Sequence, residues 1–139
     1  MNRTDLQQLA ENRAADARAL LDAHRWSGAY YLAGYAVECA LKACIAKQTG
    51  LHDFPDKTLV QKSFTHNLVE LLESAKLSLK LKHDTTTAAN PRLGESWQVA
   101  KDWNEKARYE QWTEVQAKSL FEAVTDDVNG VLPWIKERW

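Results

Sequence analysis

The longest apolar stretch of the chain runs from residue 29 to residue 46. Its apolar residues do not alternate with the period of two that a half-buried β-strand shows, and they cover nearly every side of a helical wheel. Ser27 can cap such a helix and Gly50 can end it, which gives a length of about 30 Å. A helix that is apolar on all sides has to be surrounded by other elements. The sequence therefore predicts that residues 29–50 form the central and most buried helix of the fold, with Leu41 in the core.

Two charged residues, Glu38 and Lys42, make the same stretch a poor membrane span. Cys39 and Cys44 lie five positions apart within it, and a disulfide between them would distort a helix, so both are predicted to be free, buried thiols. The first residues of the sequence lack the apolar segment of a secretory signal peptide. We therefore expect a cytoplasmic protein that does not enter a membrane.

The charges of the chain are balanced, with 18 Lys and Arg against 19 Asp and Glu and a formal net charge of -1. This balance excludes a global basic field for nucleic acid but leaves room for a local basic patch. No set of histidines and carboxylates has the spacing of metal ligands, and there is no glycine-rich phosphate loop. Neither a metal nor another cofactor is therefore predicted.

The remaining segments also have helical periodicity, in a chain of 139 residues that accommodates one domain, residues 1–139. Thr4 with Gln7, and Thr113 with Gln116, fit capping boxes at two helix N-termini. Residues 83–96 lack periodicity and predict a long loop that is mobile or functional. The other predicted helices are residues 5–25, 65–79, 97–103, 113–128 and a short C-terminal helix with Pro133 in its first turn. The pattern is that of an all-α, antiparallel helical bundle.

The sequence AYYLAGYAVECALKA at residues 29–43 resembles the signature helix of HEPN domains, the "higher eukaryotes and prokaryotes nucleotide-binding" family. Four further parts agree with it in order along the chain: residues 14–21, the sequence THNL at 65–68, Trp103 with residues 108–110, and residues 130–135. The resemblance implies an up-and-down bundle of four to five helices that is often a homodimer. Many members pair with a nucleotidyltransferase in a toxin–antitoxin system, and others are metal-independent ribonucleases.

The ribonuclease members carry an Arg followed by a His after four to six residues on a late helix, and this chain departs from that pattern. No His follows Arg108. Arg18 with His24 matches the spacing, but on the first helix, where six positions place the two side chains about 120° apart. They are predicted to diverge, as a surface Arg and a helix-end His. The sequence therefore favours a module that binds a nucleotide, RNA or a protein partner, with an endoribonuclease using a displaced motif as the alternative.

Two groups of residues are candidates for ligand binding. Tyr35, Glu38 and Lys42 share the central helix and would either line a nucleotide pocket or form a structural ion pair. Trp103, Arg108 and Tyr109 would either stack on a base and hold a phosphate or pack the last helices onto the bundle.

The other histidines are predicted to have local roles, His66 as a hydrogen-bonding group near a helix N-terminus and His52 and His83 as exposed loop residues. Five of the six tryptophans lie at or after residue 97. Because tryptophan is enriched in interface hot spots, this distribution, with the family resemblance, predicts a homodimer.

Overall fold

A computed structural model describes residues 1–50, 54 and 56–139. Within this part of the chain there are α-helices and one 3-10 helix and no β-strand, so the predicted all-α fold is confirmed. The predictions for His52 and for Pro55 in the connector lie outside the described residues. The helices are α1 (Arg3–Asp22), α2 (Trp26–Lys47), α3 (Lys57–Lys62), α4 (Leu68–Ser74), α5 (Ser78–Asp84), α6 (Leu93–Ala100), the 3-10 helix (Glu105–Tyr109), α7 (Glu114–Thr125) and α8 (Val131–Lys136).

Helix α2 is the centre of the fold, as its apolar circumference predicts. Leu41 and Val37 are fully buried, and Cys39 and Cys44 are free and buried. Helix α1 lies against α2 along its length, while α7, α4, α8 and the 3-10 helix pack on its other sides. This close approach is possible because the residues that α2 presents at steps of three and four are small and fully buried: Ala29, Ala33, Ala36 and Ala40, with Ala43 a turn further on.

One side of α2 is not fully covered, which the sequence pattern does not reveal. Tyr31, Tyr35 and Lys42 are only partly buried, although the neighbours of Tyr35 and Lys42 along the chain are buried. Their positions differ by four and seven, so they lie on one stripe of the helix surface. The surrounding helices therefore leave an open strip along the most buried element of the protein.

Gly34 allows the 3-10 helix to approach α2. Trp103, just before that helix, lies with its ring directly over the Cα of Gly34, and a Cβ at this position would overlap the indole. Trp103 is only 2% exposed, so the ring has no solvent-filled space into which it could move. The contact fixes the distance between α2 and the segment that carries Arg108 and Tyr109.

The ends of α1 and α2 differ from the prediction. Asn2, with Asp5, forms the capping box of α1, in place of the predicted Thr4 with Gln7. Helix α1 ends at Asp22 rather than at Arg25, because His24 adopts a left-handed conformation with φ of 59°. Ser27 does not cap α2, and its hydroxyl instead accepts a hydrogen bond from the backbone N–H of Trp112 at 2.9 Å.

The predicted third helix and the loop that follows it are also different. The single helix predicted for residues 65–79 is replaced by α4 and the start of α5. The two are separated by Lys76, which takes a left-handed φ of 61°. The predicted loop 83–96 is shorter than expected, since α5 continues to Asp84 and α6 already begins at Leu93. The threonines of this segment do not fit a helical periodicity. Their hydroxyls stabilise the turn instead, because Thr85, Thr86 and Thr87 each donate to the carbonyl three residues earlier.

The late part of the chain agrees better with the sequence pattern. The capping box of Thr113 and Gln116 is confirmed at the start of α7, and Pro133 lies in the first turn of α8. Trp103 and Trp134 are buried in the core of the single chain, and Trp112 stacks on Tyr30 with 3.7 Å between ring centroids. These tryptophans make their contacts within one chain, so they give no support to the predicted dimer interface.

Asp84 joins the end of α5 to the C-terminal helix. Its carboxylate accepts hydrogen bonds from the indole N–H of Trp134 and the guanidinium of Arg138, both at 2.9 Å. His83 lies 3.1 Å from its other oxygen. The hydrogen bond from Trp134, then that from His83, lowers the pKa of Asp84 from 3.8 to about 2.

We predict that Asp84 makes the fold sensitive to acid. Because its pKa is lower in the folded chain than in the unfolded one, its contribution to stability is present above about pH 4 and is lost as the pH falls toward about 2. Asp84→Asn should therefore lower the midpoint of urea unfolding at pH 7 and flatten its dependence on pH between about 4 and 2. An unchanged slope of stability against pH in the variant would contradict this assignment.

We predict that Gly34→Ala destabilises the protein by about 1–3 kcal/mol, the usual effect of overpacking a core. Gly94→Ala is the matched control, because a Cβ there would meet Thr85 at 3.4 Å, an ordinary contact distance. Alanine is also the better helix former, so the control should be neutral or slightly stabilising. Urea unfolding of both variants measures the difference, and equal midpoints would show that Trp103 is not held against Gly34.

Candidate functional site

The open strip of α2 is the candidate functional site. It consists of Tyr31, Tyr35, Glu38 and Lys42, at steps of four, three and four residues, and we call it the α2 face. Three other segments border it: α1 through Arg13, the residues before α4 through His66, and the 3-10 helix through Arg108 and Tyr109. The two groups of predicted ligand-binding residues therefore meet at one surface, with the exception of Trp103.

Glu38 is the most unusual residue of the α2 face. Its side chain is 2% exposed, and it is the only charged side chain classed as buried in the part of the chain that the structure describes. Its Oε2 lies 3.8 Å from Nζ of Lys42, so the predicted ion pair is confirmed. Its Oε1 makes a shorter contact, 2.6 Å, with Nδ1 of His66. A buried carboxylate is stable only when it has such partners.

His66 is the functional candidate that the sequence interpretation missed. It was predicted to make a local hydrogen bond, but its partner lies 28 positions away on another helix. The backbone on both sides of it is fixed, because Thr65 donates to the carboxylate of Glu70 at 2.7 Å and Asn67 accepts from the Glu70 N–H at 3.0 Å. Asn67, rather than the predicted Thr65, is thus the N-cap of α4. No spacing rule within one sequence relates a helix residue to a loop residue so far away.

Tyrosines and one arginine form the other end of the α2 face. The rings of Tyr31 and Tyr35 are 5.9 Å apart, and Tyr109 is 77% exposed. The Arg108 guanidinium donates to the Tyr109 hydroxyl at 2.7 Å and lies 4.7 Å from the centre of its ring. Burial raises the pKa of Tyr31, and the nearby charge of Arg108 acts in the opposite direction. Arg108 therefore contacts Tyr109 directly, and its charge also acts on Tyr31.

The charges of Arg108 and Arg13 are compensated to different degrees. Arg13 forms an ion pair with Asp16 on the same helix at 2.6 Å. Arg108 has no carboxylate within 4.0 Å among the residues the structure describes, since its bonded partner is a phenol. An exposed guanidinium with a neutral partner is available for an anionic ligand.

Trp103 does not belong to the binding surface, which corrects its candidacy as a ligand-binding residue and bears out the packing alternative. Its ring is buried between Gly34 and Tyr31, and its indole N–H has no hydrogen-bond partner among the described residues. A base could not stack on a ring that is 2% exposed. The buried ring of Trp103 packs on α2 and thereby fixes the position of the 3-10 helix beside the α2 face.

The thiol next to Glu38 is not a nucleophile. Burial, and after it the nearby charge of Glu38, raise the pKa of Cys39 to about 12. A thiol in this environment remains protonated at neutral pH and reacts poorly. The α2 face therefore offers hydrogen bonds, aromatic surface and positive charge rather than covalent chemistry.

Arg18 is an exposed surface residue and His24 lies just after the end of α1, as predicted, although both line one open pocket of about 700 Å³ between α1 and α7. Helix α1 ends before His24, whose left-handed backbone returns the ring to this side, where it stacks on Trp26 with 5.1 Å between centroids. Arg18 lies 3.4 Å from Asp22 and over the ring of Phe121. Four carboxylates line the pocket against two permanent cations: Asp22, Glu122, Asp126 and Asp127 against Arg18 and Lys118.

The described residues form neither a metal site nor a membrane span. Among the described residues, no three His, Cys, Asp or Glu side chains lie close enough together to hold a metal ion. In the same part of the chain no helix has both the length and the apolar character needed to cross a membrane.

Comparison with protein families decides the classification of the chain. The model of the HEPN domain matches residues 4–139, which is nearly the entire sequence. The chain belongs to the HEPN family. No curated protein and no solved structure matches it.

The resemblance of residues 29–43 to the signature helix of HEPN domains is thereby confirmed, and in the structure this segment lies within α2. HEPN domains are helical modules associated with nucleotides and RNA. In this HEPN domain the signature helix supplies both the centre of the core and, through its uncovered side, the α2 face.

Proposed function

We propose that this HEPN domain is a binding module whose α2 face takes up a nucleotide or single-stranded RNA. The observation that carries the proposal is the arrangement of Arg108 beside the exposed ring of Tyr109 and the half-buried ring of Tyr31. Proteins bind single strands by combining cations that hold phosphates with aromatic side chains on which bases stack. Both elements occur here within a few ångströms, on a surface that the rest of the fold leaves open.

The balanced net charge of the chain also fits a local site rather than a broad basic one. Lys42 and Arg13 add positive charge to the α2 face, but each has a carboxylate partner, Glu38 and Asp16 respectively. Arg108 is therefore the cation expected to contribute most to phosphate binding. A guanidinium also holds a phosphate through two parallel hydrogen bonds, which an ammonium group cannot provide.

We predict that Arg108→Ala weakens the binding of single-stranded RNA about tenfold, the effect of losing a charge-assisted hydrogen bond. The slope of log affinity against log salt concentration should decrease by about 0.7, the value for one phosphate contact on a single strand. The matched control is Lys106→Ala, which removes one positive charge from the same 3-10 helix. Fluorescence anisotropy with a labelled oligonucleotide measures both quantities.

Equal losses in the Arg108 and Lys106 variants would contradict a specific role of Arg108 and indicate only a general charge effect. Tyr35→Ala provides a second measurement. It should weaken RNA binding by about 1–3 kcal/mol, the contribution of one stacked base. If neither RNA nor nucleotides bind at all, a protein-partner role is the better account of this domain.

Family membership also supports a homodimer and a nucleotidyltransferase partner, and both are part of the proposal. The reducing cytoplasm is the compartment we propose for it, because Cys39 and Cys44 are buried and unpaired on one helix. Light scattering at micromolar concentration tests the dimer. A single species with a mass near 15.8 kDa would contradict it.

A metal-independent endoribonuclease is the second candidate, favoured by the placement of Arg18 and His24 in one pocket. The excess of carboxylates in this pocket would repel an RNA phosphate. Arg18 is also already paired with Asp22. We therefore predict no cleavage of structured or single-stranded RNA that depends on these residues. Cleavage in the presence of EDTA that His24→Ala abolishes would establish the enzyme instead.

A further inference from the structure

We propose that His66 recognises a ribose hydroxyl group, so that the α2 face binds RNA in preference to DNA. This inference rests on the proposed function, because it assigns the specificity of the same site. It follows from the contact of His66 with the buried Glu38, from the exposure of its side chain, and from the position of Tyr35 one turn before Glu38 on α2.

The contact with Glu38 determines which nitrogen of His66 carries the hydrogen. A carboxylate can only accept, so the 2.6 Å contact between Oε1 and Nδ1 requires Nδ1 to be the donor. In a neutral imidazole the other nitrogen, Nε2, is then an acceptor. Lys42 holds the second carboxylate oxygen at 3.8 Å and keeps the carboxylate in place. The arrangement resembles the way carboxylates orient functional histidines elsewhere.

The acceptor nitrogen lies on the accessible side of the ring. Glu38 is 2% exposed, whereas the side chain of His66 is 46% exposed. Since Nδ1 is directed toward the buried carboxylate, the opposite edge of the ring, which carries Nε2, is the edge expected to face solvent. The site therefore presents to solvent a hydrogen-bond acceptor whose tautomer and orientation are both fixed.

The position of this acceptor suits the sugar of a bound nucleotide. Tyr35 precedes Glu38 by three residues on α2, which places its ring about 5 Å along the helix from the Glu38–His66 pair. A base stacked on Tyr35 brings its own ribose next to His66. The 2′-hydroxyl is a hydrogen-bond donor, and it is the group by which a protein distinguishes RNA from DNA.

The test compares the binding of oligo(U) with that of oligo(dU) of the same length at pH 8. Uracil has no exocyclic amino group, so a difference between the two ligands reports on the 2′-hydroxyl rather than on the base. For the wild-type protein we expect a preference of roughly three- to tenfold for oligo(U), the effect of one hydrogen bond. In His66→Ala the preference should fall to about one, through a loss of oligo(U) affinity alone.

Glu38→Gln tests the positioning role of the buried carboxylate. An amide can accept from Nδ1 or donate to it, so it no longer fixes the tautomer, and the preference should fall although His66 is still present. A Glu38 that only anchors α4 to α2 would change the thermal stability without changing the ratio of the two affinities. His83→Ala is the matched control, since it removes an exposed histidine elsewhere and should leave the ratio unchanged.

The outcomes separate this inference from the proposed function. Equal binding of the two ligands by the wild-type protein, or a preference that survives in His66→Ala, would overturn the inference and leave the RNA-binding role intact. A preference that survives unchanged in Glu38→Gln would overturn the assignment of Glu38. If neither ligand binds, the proposed function itself is wrong and the inference falls with it.

Discussion

The contact between Gly34 and Trp103 is the constraint on which the functional surface depends. Because residue 34 has no side chain, the large ring of Trp103 lies directly on α2 and is almost completely buried. The chain then continues into the 3-10 helix, which carries Arg108 and Tyr109 to the edge of the α2 face. A single missing Cβ in the core thus positions two exposed side chains, although neither of them touches Gly34.

The buried charge of Glu38 has the same role at the other end of the face. A carboxylate with 2% exposure has to be paired, and its partner His66 comes from the segment before α4. The pairing fixes α4 against α2 and at the same time orients the exposed edge of His66. At both ends of the α2 face, a residue of the core therefore determines the geometry of a residue at the surface.

The helical fold could be predicted from the sequence because its signals are local or periodic. The apolar circumference of residues 29–46 and the capping box of Thr113 with Gln116 both gave correct helices. Two of the boundaries that were wrong, the end of α1 and the break between α4 and α5, depend on the left-handed residues His24 and Lys76, which are not glycine.

The site could be predicted only in part. Tyr35, Glu38 and Lys42 share one helix face by simple spacing, so their grouping was accessible from the sequence. The same reasoning left open whether Trp103 stacks on a base or packs the last helices onto the bundle, because a cluster of aromatic residues does not show which ring is buried. His66 was missed since its contact with Glu38 is a tertiary one, between positions that nothing in a single sequence connects.

The most direct test of this account is to map the binding surface by NMR, titrating single-stranded oligo(U) into the isotope-labelled protein. If the α2 face is the site, the largest changes in amide chemical shift should occur along residues 31–42, at His66 and at Arg108 and Tyr109. Changes centred instead on Arg18, His24 and Lys118, in the pocket between α1 and α7, would contradict it.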